Sequence, residues 1–138
     1  MASQESLDLI YMQTALLHAS LSKATRAKVG SCLVTTQGVC LTGYNGEYSG
    51  GSNICEDEDG LTKPTVIHSE LNCVLRAAKE GISVLDSTLY VTLSPCQSCA
   101  SMLIQAGIKR VVYLEQYRCH QGIDLLLRAG IIVNKMEL

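Results

Sequence analysis

Apolar and polar positions follow two rhythms along this chain, and the switches between them mark out its elements. From Leu7 to Leu21 the residues Leu9, Ile10, Leu16, Leu17 and Leu21 recur near the helical period, with Ser6 placed to cap the start. A polar, basic connection runs from Ser22 to Lys28. Val29 to Thr35 and Val39 to Tyr44 then read as two strands, joined at the hairpin signal Thr36-Gln37-Gly38. Helical spacing returns between His68 and Lys79 at Leu71, Val74, Leu75 and Ala78, and Gly81 supplies a stop. Thr88 to Leu93 reads as a strand. Ser94 as N-cap and Pro95 as first helical residue open a helix that begins at Cys96 and ends near Gly107. Lys109 to Leu114 is a strand, about Gly122 to Ala129 a helix, and Ile131 to Val133 a short last strand.

Two strands separated by one helix form a βαβ unit, so Leu89-Tyr90-Val91 and Val111-Val112 should lie parallel. The expected fold is a three-layer α/β/α arrangement, a mixed five-stranded sheet with helices on both faces. No repeat or linker interrupts residues 1–138, which are expected to form one domain.

Composition narrows the partners. The chain is 47% hydrophobic and 17% charged, with a mean hydropathy of +0.19. No apolar run approaches the roughly twenty residues that cross a bilayer, so the excess is expected at subunit interfaces rather than in a membrane. Net charge is −2 and the pI is near 5.9. A nucleic-acid polymer would call for a basic footprint, which is missing. Met1-Ala2-Ser3-Gln4-Glu5 lacks the regions of a secretion signal. Seven cysteines, an odd number, suit a reducing cytoplasm better than a disulfide framework. Cys32, Cys40 and Cys73 read as buried thiols, and Cys55 and Cys119 fall in loops.

The chemistry centres on Ser94-Pro95-Cys96-Gln97-Ser98-Cys99 and on His68-Ser69-Glu70. Two thiolates at Cys-x-x-Cys spacing suit zinc, and His68 supplies a third ligand. A tetrahedral ion then keeps one position for water, the mark of a catalytic rather than a structural site. Glu70 is the candidate proton carrier. Residues i and i+2 of a helix stand about 200° apart, so the metal should lie at the helix end, with Glu70 reaching the pocket from another side. With Cys96 opening the next helix, two helix N-termini would converge on one ion and favour thiolates at Cys96 and Cys99. His-x-Glu followed by Pro-Cys-x-x-Cys is the pattern of zinc-dependent nucleobase deaminases.

Three loops invite a reading. Arg26 sits where it could fork onto phosphate oxygens or simply face solvent. The glycines of Gly43-Tyr44-Asn45-Gly46 and Gly50-Gly51 permit tight turns and close approach to a ligand. The run Glu56-Asp57-Glu58-Asp59 reads as an exposed mobile loop, since its spacing does not match an EF-hand.

Together with Lys28-Val29-Gly30, Thr42-Gly43-Tyr44-Asn45-Gly46, His68-Ser69-Glu70-Leu71-Asn72, Leu89 to Cys96 and Gln105 to Lys109, these motifs resemble the cytidine deaminase superfamily. Within it the chain looks like the deoxycytidylate (dCMP) deaminases, phage and viral type, from about Tyr11 to Ile132. The resemblance implies a cytidine deaminase-like fold and zinc-dependent hydrolysis of dCMP to dUMP and ammonia, with Glu70 as proton carrier. It implies base contacts from the backbone of Ser69 and Ser94, with Asn45 for the sugar hydroxyl, Arg26 for phosphate and Tyr117 closing the pocket. It also implies a homo-oligomer, a hexamer being favoured, activated by dCTP and inhibited by dTTP, with Mg2+ accompanying a nucleotide effector. Lys23, Lys28, Gly46, Gly50, Ser52 and Asn72 fall in the matching effector region.

Departures qualify the likeness. Ser69 replaces the usual Ala, and Glu47-Tyr48 stands where a proline-containing turn is common, which bears on effector control. Some phage relatives hold a second, structural zinc; Ala24-Thr25 and the single Cys55 point to one zinc per chain here. Deamination of dCTP, of both nucleotides, or of another small cytosine substrate remains open. The non-enzyme alternative is a structural zinc module with no use for Glu70.

Overall fold

The short apolar stretches become the strands of one mixed sheet in the structure, a computed structural model that describes residues 1–138. The elements are α1 (Gln4–Ala19), β1 (Gly30–Val34), β2 (Cys40–Tyr44), α2 (Ser69–Glu80), β3 (Thr88–Leu93), α3 (Gln97–Ala106), β4 (Arg110–Glu115), α4 (Gln121–Arg128) and β5 (Ile132–Lys135). The strands lie in the order β2-β1-β3-β4-β5. β1 runs antiparallel to β2 and β3, while β3, β4 and β5 are parallel, as the βαβ reading requires.

Side chains alternate across the sheet with the two-residue strand period. Leu33, Leu89, Val91, Val111 and Tyr113 face α2, α3 and α4, where Cys73, Ala77, Ala100, Leu103 and Leu126 complete the larger core. Cys32, Tyr90 and Val112 point the other way, onto Met12 and Ala15 of α1. The result is the expected α/β/α sandwich.

The phase of α1 corrects the sequence reading. Ser3, not Ser6, is the N-cap, and its Oγ accepts the Ser6 N–H. The buried stripe is Met12, Ala15 and Ala19, whereas Leu9, Ile10, Leu16, Leu17 and Leu21 are exposed, Leu17 to 71%. The cause is backbone proximity. A Cβ at Gly30 would stand 1.9 Å from the Ala15 carbonyl oxygen, so the helix rests on β1 at a distance that admits small side chains and excludes leucine. Asp8 extends the same stripe, and its carboxylate meets the Arg110 guanidinium at 2.8 and 2.9 Å and the Tyr90 hydroxyl at 2.6 Å. No helix is long and apolar enough to cross a membrane.

Candidate active site

Two helices deliver their first turns to one point. His68 is the N-cap of α2, just outside the helix rather than in its first turn, and Cys96 is the N-cap of α3. Neither side chain makes the usual capping hydrogen bond. Both turn instead towards Cys99, three residues into α3. His68 Nδ1 lies 3.2 Å from Cys99 Sγ and 3.6 Å from Cys96 Sγ, and the three donor atoms fall within 4.8 Å of one another. Zinc–sulfur bonds of about 2.3 Å and zinc–nitrogen bonds of about 2.0–2.1 Å at a tetrahedral angle place N and S roughly 3.6 Å apart. The cluster therefore fits zinc.

Its electrostatics agree. Cys96 is drawn down to about 4 by hydrogen bonding from Cys99 and His68. Cys99 is pushed up, chiefly by the Cys96 sulfur and then by burial. Neighbouring protons stabilise one negative charge among the two sulfurs, and a dication between them would stabilise both thiolates. Glu70, in the first turn of α2, is 3% exposed, and burial raises its pKa. Its Oε1 stands 3.8 Å from His68 Nδ1.

Ser94 does not cap α3, contrary to the expectation from sequence. Cys96 is the cap, Pro95 precedes the helix, and the buried Ser94 Oγ accepts the Tyr117 N–H at 2.6 Å. This bond ties the β3–α3 turn to the loop after β4.

A cavity of about 400 Å³ opens over the cluster, lined by His68, Glu70 and Cys96 and by Asn45, Ser69, Ser94, Arg26 and Tyr117. Cys99 is buried behind it. Asn45 is already engaged at both ends of its amide, accepting from Val29 N–H and donating to the Ala27 carbonyl. One N–H and one lone pair remain for a ligand. Arg118 also lines the cavity, its guanidinium 5.9 Å from the Tyr117 ring. Sequence reasoning missed it, although its place beside Tyr117 was the available signal. Glu56 corrects the mobile-loop reading: it is half-buried and its Oε2 accepts the backbone N–H groups of Thr25 and Arg26. Cys55, beside it, is buried in the cavity wall, whereas Cys40 is exposed, contrary to expectation.

The expected effector residues do not stay together. Gly46 and Asn72 line a second cavity of about 500 Å³ with Arg76 and Lys79. Lys23, Lys28, Gly50 and Ser52 line neither cavity, and the basic segment borders the first one through Ala24, Arg26 and Ala27. The Mg2+ expected with an effector gains no support.

The family profile described as cytidine and deoxycytidylate deaminase zinc-binding region matches residues 5–115. The chain belongs to this deaminase family. The ComE operon protein 2 of Bacillus subtilis is 36% identical over 93% of the chain and 70% of its own length. The deoxycytidylate deaminase of Saccharomyces cerevisiae is 34% identical over 96% of the chain, which spans only 45% of that enzyme. The dCMP deaminase of cyanophage S-TIM5, solved with dCMP and dUMP, superposes with a TM-score of 0.92 at 42% identity, over 98% of this chain and all of that one. Family and donor set agree on zinc as the metal.

Proposed function

We propose that the chain hydrolyses the 4-amino group of dCMP to give dUMP and ammonia, acting as one deaminase domain with one zinc ion. The observation that carries this reading is a buried carboxylate, Glu70, beside a His/Cys/Cys cluster on the wall of a cavity that two arginines also line. Likeness to the cyanophage enzyme supports the choice of nucleotide. Zinc held by His68, Cys96 and Cys99 would supply the acidification of the water that attacks the ring carbon. Glu70 receives the water's proton, passes it to ring N3 and then assists protonation of the departing amine. Backbone groups of Ser69 and Ser94 hold the base edge and Asn45 the sugar hydroxyl. Arg26 and Arg118 meet the 5′-phosphate, and Tyr117 closes the pocket.

Ammonia release measured with dCMP, dCTP, deoxycytidine and cytosine tests the substrate, and a strong preference for deoxycytidine would defeat the dCMP assignment. Glu70→Gln tests the enzyme reading: zinc retained with turnover lost is expected, whereas an unaffected variant would favour a structural zinc module.

Assembly and control belong to the same reading. The exposed Leu9, Ile10 and Leu17 supply apolar surface for a homo-oligomer, with a hexamer favoured. Arg76 and Lys79 beside Gly46 and Asn72 are the cations available to a dCTP or dTTP effector in a cavity that Glu47 and Glu80 also line. Sedimentation and assays with each effector test both, and a monomer indifferent to dCTP and dTTP would remove this part. The reduced thiols and thiolate ligands suit a cytoplasmic setting.

A further inference from the structure

Behind Glu70 lies a chain of two hydroxyls with no part in the proton transfers of the proposed reaction. Ser69 Oγ donates to Glu70 Oε2 at 3.2 Å, and Ser31 Oγ on β1 lies 2.6 Å from Ser69 Oγ. Ser31 and Ser69 are both completely buried. A hydroxyl carries one proton. Ser69 gives its proton to the carboxylate, so the proton between the two serines is Ser31's, and the relay is directed from Ser31 through Ser69 to Glu70.

We propose that Ser31 and Ser69 are positioning residues for the reaction, Ser69 holding Glu70 Oε2 so that Oε1 faces the metal cluster, and Ser31 holding Ser69. This rests on Glu70 as the proton carrier. Glu70 is buried, and a donor already oriented on its carboxylate costs no reorganisation when the proton moves. Ser31 belongs to a central strand paired on both sides, so the relay anchors a catalytic side chain to the middle of the sheet.

The test is a cycle of Ser31→Ala, Ser69→Ala and the double variant, read by steady-state kinetics, zinc content and melting temperature. Ser69→Ala is expected to lower kcat about tenfold with KM for dCMP and bound zinc unchanged, the size of one hydrogen bond to a charged group. Ser31→Ala should cost about threefold, and the double variant should match Ser69→Ala, because Ser31 reaches Glu70 only through Ser69. The melting temperatures should show the same coupling, Ser31→Ala mattering less once Ser69 is gone. An unchanged kcat in Ser69→Ala, or a Ser31→Ala penalty that persists in full in the Ser69→Ala background, would overturn the relay. Glu70→Gln in the same series separates the two ideas. If it is inactive while Ser69→Ala is unaffected, the relay fails and the role of Glu70 stands; if it is active, both fail.

Discussion

Gly122, at the start of α4, packs so closely on the β3–α3 turn that a Cβ there would stand 2.1 Å from the Pro95 carbonyl oxygen and 2.9 Å from the Cys96 carbonyl carbon. Both contacts are backbone, with no flexible side chain to yield. A methyl group must therefore push α4 away or shift the turn that carries a zinc ligand. Gly122→Ala is expected to cost about 1–3 kcal/mol, as overpacking in a tight core does, and to lower zinc content in the purified protein. Thermal unfolding and metal analysis check this; a variant with full zinc and an unchanged melting temperature would show that the turn moves freely.

Asp8 contributes to stability on the acid side. Hydrogen bonds from Arg110, with smaller help from Tyr90 and Gln4, hold its carboxyl down to about 2 from an ordinary 3.8. A lowered folded-state value means that the stabilisation is complete above about pH 4 and is lost as pH falls from about 4 to about 2. Its size is about 2 kcal/mol, since each tenfold gain in acidity on folding is worth roughly 1.4 kcal/mol. Asp8→Asn should be less stable than the parent near neutrality, with the gap closing across that acid window. Urea titrations at a series of pH values measure it, and a gap independent of pH would reject the assignment.

The strands, the parallel pairing of β3 with β4 and the clustering of His68, Cys96 and Cys99 were legible because each rests on a local signal: short apolar runs between turn residues, a glycine stop, or ligand types at fixed spacing. Gly81 and Gly107 close α2 and α3 in the left-handed conformation, where a glycine stop places them. The face of α1 was not legible, because burial there is set by contact between the backbones of Ala15 and Gly30, far apart in sequence, and hydrophobicity alone favours the leucines. Ser94 looks like a cap by composition, yet its partner is Tyr117, on a loop that only the parallel pairing of β3 and β4 brings near. Arg118 and Glu56 were hidden for the same reason: each takes its position through tertiary placement, with no spacing to announce it.

Cys40 should be the most readily alkylated thiol outside the zinc cluster when compared with Cys32, Cys55 and Cys73. It is exposed, its Sγ lies 2.8 Å from that of Cys32, and hydrogen bonding from Cys32 lowers it to about 7. Burial pushes Cys55 and Cys73 upwards. The thiolate is the reactive form, so labelling by iodoacetamide should rise with pH through about 7 and slow several-fold by about pH 6. Cys32→Ala should slow labelling near neutrality by removing the donor. Peptide mapping of the zinc-loaded protein reads the order, and faster labelling of Cys73 or Cys55 would contradict it.

Arg26 and Arg118 divide binding from chemistry in the proposed reaction. Both line the cavity, and neither shares a hydrogen bond with the ligand cluster. A guanidinium on a phosphate contributes about 1.5–3 kcal/mol as a charge-assisted hydrogen bond. Each Arg→Ala change is therefore expected to raise KM for dCMP roughly 10- to 100-fold with kcat little changed. Both side chains are exposed, so water competes for their charge and the single variants should fall near the lower end of that range. Deoxycytidine has no phosphate to lose, so its kcat/KM should stay near the parent value in both variants. Equal losses on dCMP and deoxycytidine would move these arginines from phosphate recognition to support of the cavity wall.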